Sequence, residues 1–336
     1  MLFRTGIDNY GLFPLGLEPI EVLQWARENG AEGVQFSGLA PEHTAKIDTA
    51  CLKDLRQYAE CENLYLEWGG GQHIPRDMTT WAKRDIAACN RKAVEEAAVL
   101  GTRVVRSCSG GLMRWDPSSP PTKTLLKETA EFLRSQQQML RDSNVILAIE
   151  THFEFTTFEL LQVFDMCEVE PGDCLGICLD TMNLLTMLED PVVATERVST
   201  WVVSTHVKDG GIRQTPDGFE TFPTGIGQGV INLTQIIRRL ANPGFPLNLS
   251  IEDHGGSFSL PIFNQDFYSE FPDLTGEELA GLIQLSQKVG SHAETGHCAE
   301  TPHDEWPDVC EERMKQNIRA LKEIVAGLGE TDTEAV

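Results

Sequence analysis

An α/β protein of the (β/α)8 TIM barrel class is the fold this sequence predicts, on three observations. Short apolar runs alternate with helical stretches along most of the 336 residues, the pattern of parallel βαβ units. Eight such strand candidates occur, enough to close a barrel. The last four deliver an acid or an imidazole at their C-terminal ends, the edge where barrels of this class carry their chemistry.

The strand candidates are Phe3–Asp8, Gly33–Ser37, Leu64–Trp68, Arg103–Ser107, Val145–Glu150, Leu175–Asp180, Val202–Lys208 and Leu247–Glu252. Helices are expected between them at Pro19–Glu28, Cys51–Glu62, Thr80–Leu100, Lys123–Asp142, Thr157–Cys167, Pro191–Val198 and Leu233–Leu240, with a last one at Val309–Leu328. Pro19 and Pro191 fall in first turns, where a missing N–H costs nothing. Asn29-Gly30 and Leu100-Gly101 supply stops that accept a left-handed cap. One stretch breaks the rhythm: a long insertion after strand eight, residues 255–306, with a helix expected at Gly276–Val289. Loops of that length are usually functional, and this one is read as a lid. The chain is read as one domain over residues 1–329, insertion included, followed by a flexible tail at 330–336.

A formal charge of −24 and a pI near 4.6 disfavour nucleic acid and anionic membranes as partners, because like charges repel. Its bland reading is solvation of helix faces. The nine cysteines form no regular framework, and Cys174 and Cys178 sit in the apolar run CLGICLD as buried thiols. No apolar run approaches the roughly 18 residues of a membrane span, and the N-terminus has no signal-like core. A reducing cytoplasm is the expected location. His292, His297, Cys298 and His303 fit no zinc finger or ribbon spacing and are read as a lid edge or subunit contact.

The chemistry lies in four segments: AIETH, CLDTMN, STHVKD and LSIEDH. They offer Glu150, Asp180, His206 and Glu252. Taken singly, each is an ordinary loop or cap residue. Four neighbouring strand ends could nonetheless surround one ion, and three carboxylates together would resist ionisation without a cation to relieve them. An oxygen-rich set with one histidine suits Mn²⁺, with Mg²⁺ or Co²⁺ as alternatives, better than a structural zinc. Around this metal set, Glu150, Glu252 and His152 are the catalytic candidates, His152 as a neutral base. Arg106, Lys208, Trp68, Asn183 and His254 are the substrate-binding candidates. Asp8, Gln35 and Glu67 are placed at the ends of strands one to three. The run Gly69-Gly70-Gly71 lacks the Lys-Ser/Thr ending of a nucleotide loop.

These motifs resemble the xylose isomerase-like TIM barrels, a group of sugar and sugar-phosphate isomerases and epimerases that includes the ketose 3-epimerases. In that group a Glu, an Asp, a His and a second Glu bind one divalent metal, often Mn²⁺. The resemblance places them on Glu150, Asp180, His206 and Glu252, and is most specific over residues 145–254. Two positions depart from the ketose 3-epimerase pattern. Asn183 stands where a histidine follows the metal-binding Asp, and Lys208 and Asp209 stand where an arginine follows the metal-binding His.

Together, the residues and the resemblance imply a divalent-metal-dependent enzyme working through an enediolate of a keto-sugar or sugar-acid derivative. Its simplest form is an isomerase or epimerase. The same proton removal could serve a lyase, by β-elimination from a 3-keto-glycoside such as a C-glycoside, or by decarboxylation of a 3-keto sugar acid. A third reading is a non-catalytic barrel subunit. A related endonuclease is disfavoured by the acidity. The expected partners are a small carbohydrate and further copies of the chain, with a hetero-oligomer containing a smaller subunit left open.

Overall fold

The computed structural model describes residues 3–241, 246–293 and 298–331. Seven barrel strands run β1 (Phe3–Asp8), β2 (Gly33–Phe36), β3 (Tyr65–Gly71), β4 (Val104–Ser107), β5 (Ile146–Glu150), β6 (Leu175–Asp180) and β7 (Val202–Val207). Two inserted strands, β8 (Asp209–Thr215) and β9 (Gly218–Thr224), precede the last barrel strand, β10 (Leu247–Ile251), and β11 (Phe258–Leu260) follows it. The barrel closes in the order β1-β10-β7-β6-β5-β4-β3-β2, all pairs parallel. The predicted barrel is therefore present. Its helices bury one face each: Leu233–Leu240 turns Leu233, Ile236, Ile237 and Leu240 inward, a 3.6-residue spacing.

The end signals act as expected. Asp190 accepts the N–H groups of Val192 and Val193 ahead of Pro191, and Gly101 ends its helix at φ 78°. Thr156 and Glu159 form a reciprocal capping box at the start of Thr157–Cys167.

Two expectations are corrected. The helix expected from Thr80 begins at Ala87. Residues before it form a loop: Asp77 accepts the N–H groups of Thr79 and Thr80, Trp81 takes φ 58°, and Arg76 is tied to Glu128. The other correction concerns the stretch after β7. Strands β8 and β9 form an antiparallel hairpin turning at Pro216-Asp217, and β11 adds to its edge. Helix Gly276–Ala293 packs on β8, so part of the long insertion supports this second sheet. Helix Trp306–Thr331 packs against β1 and the turn Asn9–Leu15.

The C-terminal helix includes the start of the expected tail; residues 332–336 lie outside the described residues, as do the side chains of His292 and His297. Among the described residues no helix is long and apolar enough to cross a membrane.

The lower barrel interior is polar. Gln35 and Glu67 are paired in the β2–β3 register, and Gln35 Nε2 donates to Glu67 Oε2 at 3.0 Å and to Ser204 at 2.8 Å. Asn248 donates to Glu67 Oε1 at 2.7 Å. Cys178 is sealed beside them with no exposure.

Candidate metal centre and cavity

Strand alternation decides which side chains meet inside the barrel. Register pairs Asp180 with His206 and His206 with Ser250, placing the ends of β6, β7 and β10 side by side. Glu150 ends β5, and Glu252 follows β10 directly. One donor atom each from Glu150, Asp180, His206 and Glu252 lies within 4.8 Å of the others, and all four residues are buried. His206 Nδ1 is 3.2 Å from Glu150 Oε1 and 3.3 Å from Glu252 Oε2. Its Nε2 is 3.6 Å from Asp8 Oδ2. Asp8 is itself fixed by the Ser37 hydroxyl at 2.9 Å and the Tyr10 N–H at 2.8 Å. A carboxylate behind a ligating imidazole can orient it; here the pair stands beyond hydrogen-bond reach and acts through charge.

These residues fit a divalent cation on two counts. Buried Asp180 Oδ2 and Glu252 Oε2 have no hydrogen-bonded partner and are held by ion pairs with Lys208. The carboxylates of Asp8, Glu150, Asp180 and Glu252 also outnumber the permanent cations Arg106 and Lys208 by two charges. A hard divalent ion matches both the donor set and the charge.

Electrostatics divide the carboxyls. Burial opposes the charge on Glu150, yet Arg106 and His206 outweigh it and hold the carboxyl below its usual range. Glu252 behaves alike: burial is overcome by Lys208 and His206. At Asp8 burial wins and raises the carboxyl to about 6. Burial and then Lys208 push His254 down to about 4. A neutral His254 is consistent with its contacts, Nδ1 facing the Gly255 carbonyl at 3.0 Å and Nε2 facing Lys208 Nζ at 3.5 Å.

A cavity of about 660 Å³ opens above this floor. It is lined by Arg106, Glu150, His152, Asn183, Lys208, Glu252 and His254, all singled out by sequence. Its upper wall is aromatic: Tyr10, Phe13, Phe153 and Phe258. Thr221, Pro223 and His303 also line it, so the inserted hairpin and the long insertion both reach the mouth.

Trp68 is the correction among the binding candidates. Tyr65 and Glu67 point into the barrel, so the next residue points out. Trp68 packs on Phe36 with ring centroids 5.7 Å apart and donates to Glu96 at 2.9 Å. Gln35 and Glu67 are likewise placed in the lower layer rather than at the strand-end site. The Gly69–Gly71 run is part of β3, where a Cβ on Gly69 would meet Ser37 O at 2.1 Å.

His152 reaches the cavity with a partner the sequence reading did not assign. Its Nδ1 is 2.8 Å from Glu154 Oε2, and the other Glu154 oxygen accepts backbone N–H groups of Ser109, Gly110 and Gly111. Burial works against a charged imidazole, but Cys108 and Glu154 prevail and raise it well above the ordinary histidine range. That direction favours the protonated imidazole over the neutral base expected from the sequence. The alternation His152-Phe153-Glu154 was the available signal.

A family model described as xylose isomerase-like TIM barrel matches residues 23–282. The 3-oxo-isoapionate decarboxylase of Pectobacterium atrosepticum (strain SCRI 1043) is 27% identical over 217 residues, covering 61% of this chain and 68% of that protein. The solved L-ribulose 3-epimerase aligns with a TM-score of 0.54 at 18% identity, covering 87% of this chain and 95% of that one. The probable 3-DHS dehydratase of Bacillus anthracis involved in petrobactin synthesis gives 0.56 at 16%, covering 86% and 98%. At these identities the two structures speak for the fold. Since the family match runs through most of the barrel, the chain belongs to the xylose isomerase-like TIM barrel family.

Proposed function

We propose that this protein is a divalent-metal-dependent enzyme that removes a proton beside the carbonyl of a keto-sugar or sugar-acid derivative, in the simplest case an isomerase or epimerase. The supporting observation is the convergence of Glu150, Asp180, His206 and Glu252, two of which, Glu150 and Glu252, line an accessible cavity. Those four residues would hold the ion, with Mn²⁺ preferred for this donor set. When bound, it supplies a Lewis acid that polarises the carbonyl.

The remaining work falls to side chains. Glu150 and Glu252, from strands on either flank of His206, are placed to accept or return a proton. Arg106 holds one Glu150 oxygen and donates to Ser37 O at 3.3 Å, which fixes that carboxylate's orientation. His152, braced by Glu154 and favoured in its protonated form, can donate a proton to a substrate oxygen. Asn183 Nδ2 is buried without a partner beside the cavity, a free donor for a hydroxyl. The aromatic upper wall excludes water and supports a sugar face. The protein works on a small carbohydrate in the cytoplasm: all nine cysteines are unpaired thiols, in keeping with a reducing compartment.

A lyase is the second reading. It is favoured by the relative named a decarboxylase and by a cavity with room and apolar surface for more than a monosaccharide. Incubation of the Mn²⁺-loaded protein with free ketoses, 3-keto-glycosides and 3-keto sugar acids in D₂O, followed by NMR, separates the two. Deuterium at the carbon beside the carbonyl of a returned sugar indicates isomerase or epimerase. Release of an aglycone or CO₂ indicates lyase. No exchange in any sugar, together with no bound metal, would reject the enzymatic reading and leave a binding subunit.

A further inference from the structure

Arg106 and Lys208 both neutralise the metal-site carboxylates, but they hold different oxygens. Arg106 pairs with Glu150 Oε2, whereas Glu150 Oε1 faces His206 Nδ1 at 3.2 Å. The arginine therefore grips the Glu150 oxygen that does not face His206. Lys208 does the opposite. Asp180 Oδ1 is taken up by the N–H groups of Met182 at 2.9 Å and Asn183 at 2.8 Å, which leaves Oδ2 for a cation. That oxygen lies 2.9 Å from Lys208 Nζ. Glu252 Oε2, which faces His206 Nδ1 at 3.3 Å, is the other oxygen Lys208 holds.

We propose that Lys208 is a tethered placeholder: its ammonium occupies the cation-facing oxygens of Asp180 and Glu252 while no divalent ion is bound, and is displaced into the cavity when one binds. The inference rests on the metal-centre reading above. A divalent ion placed among the four donors would repel an ammonium held on two of their oxygens, and the repulsion is strong at such separation in a buried site. Lysine is suited to the exchange, with a flexible four-carbon stem and a compact charge, where a forked guanidinium would not be. The displaced ammonium has somewhere to go. Lys208 lines the cavity, and its Nζ already stands 3.5 Å from His254 Nε2. Moved there, it faces the space where substrate oxygens would lie, as a partner for a hydroxyl, carboxylate or developing oxyanion. Metal binding then precedes and creates part of the substrate site.

Crystals of the metal-free protein soaked in MnCl₂ test the exchange directly. The expected result is an anomalous peak among Glu150, Asp180, His206 and Glu252, with Lys208 Nζ out of hydrogen-bond reach of Asp180 Oδ2 and Glu252 Oε2. A manganese peak with Nζ still on both oxygens overturns the placeholder and leaves the metal centre standing. Absence of manganese from the site at saturating concentration overturns both. In solution, Lys208→Gln is expected to bind Mn²⁺ about tenfold more tightly than the parent by electron paramagnetic resonance titration, because a competing charge is gone. Equal or weaker binding counts against the exchange, and the wild-type crystals decide the matter if the variant fails to fold.

Discussion

Asp8 shows how much of a site can depend on one contact between distant strands. Its carboxylate backs His206 at 3.6 Å, and nothing in the segment FRTGID announces that partnership. Asp8→Asn is expected to lower Mn²⁺ affinity about 10- to 100-fold, as loss of a carboxylate behind a ligating histidine does, with the fold intact by circular dichroism. Glu150→Gln and Asp180→Asn are expected to abolish stoichiometric Mn²⁺, read by elemental analysis of the purified variants. Glu67 makes a different prediction. Burial raises it to about 7 from 4.5, against hydrogen bonds from Ser204 and Asn248. The native state therefore keeps a proton at Glu67 that the unfolded chain releases above about 4.5. The resulting stabilisation is complete below that pH and is lost as pH rises through about 7. Glu67→Gln, whose amide can pair with the unpartnered Gln35 Oε1 after rotation of that side chain, should flatten the wild-type fall in stability between pH 5 and 8. The difference should be at most roughly 3 kcal/mol by urea titration. At this scale the four metal-site residues were legible, because each ends a strand and needs only local sequence to be placed. Asp8 behind His206, Glu154 behind His152 and the outward turn of Trp68 were not, because register and alternation decide them.

The inserted hairpin is the element whose behaviour most affects the site. It begins one residue after Lys208, and the Asp209 carboxylate accepts the N–H groups of Gly210, Gly227, Gly229 and Ile231. One side chain thus pins the root of the hairpin to the loop that returns from it. Asp209→Ala leaves those donors without their acceptor and is expected to cost about 2–4 kcal/mol at roughly 1 kcal/mol per lost bond. Accelerated proteolytic cleavage within residues 216–231 would register the loosening; unchanged cleavage would show that the pinning is dispensable. The hairpin could have been read from Thr215-Pro216-Asp217-Gly218, a turn signal with a mechanism, flanked by alternating residues. The strand–helix rhythm masks it, because that rhythm accounts for the segments on either side. The late start of the Ala87–Leu100 helix was hidden for another reason: Thr79 to Ala82 are compatible with helix, and the ties of Arg76 to Glu128 and of Asp77 to the local backbone are tertiary and turn effects.

For the whole molecule, the alternation of apolar strands with amphipathic helices made the barrel legible, since every unit repeats the same physical pattern. What lies above the barrel does not repeat, and its shape is set by pairing and packing between segments far apart in sequence. Metal removal acts at this scale. Exhaustive chelation should abolish turnover, and Mn²⁺ at about 100 times its dissociation constant should add roughly 2.7 kcal/mol to stability, seen as a rise in melting temperature. The sealed position of Cys178 has one more consequence. A thiol enclosed by the strands can meet an aqueous alkylating reagent only when those strands part, so its labelling rate is an internal clock for barrel opening. Comparing that clock in ion-free and ion-loaded samples would report how far an ion at the centre locks the cylinder shut, without any knowledge of a substrate.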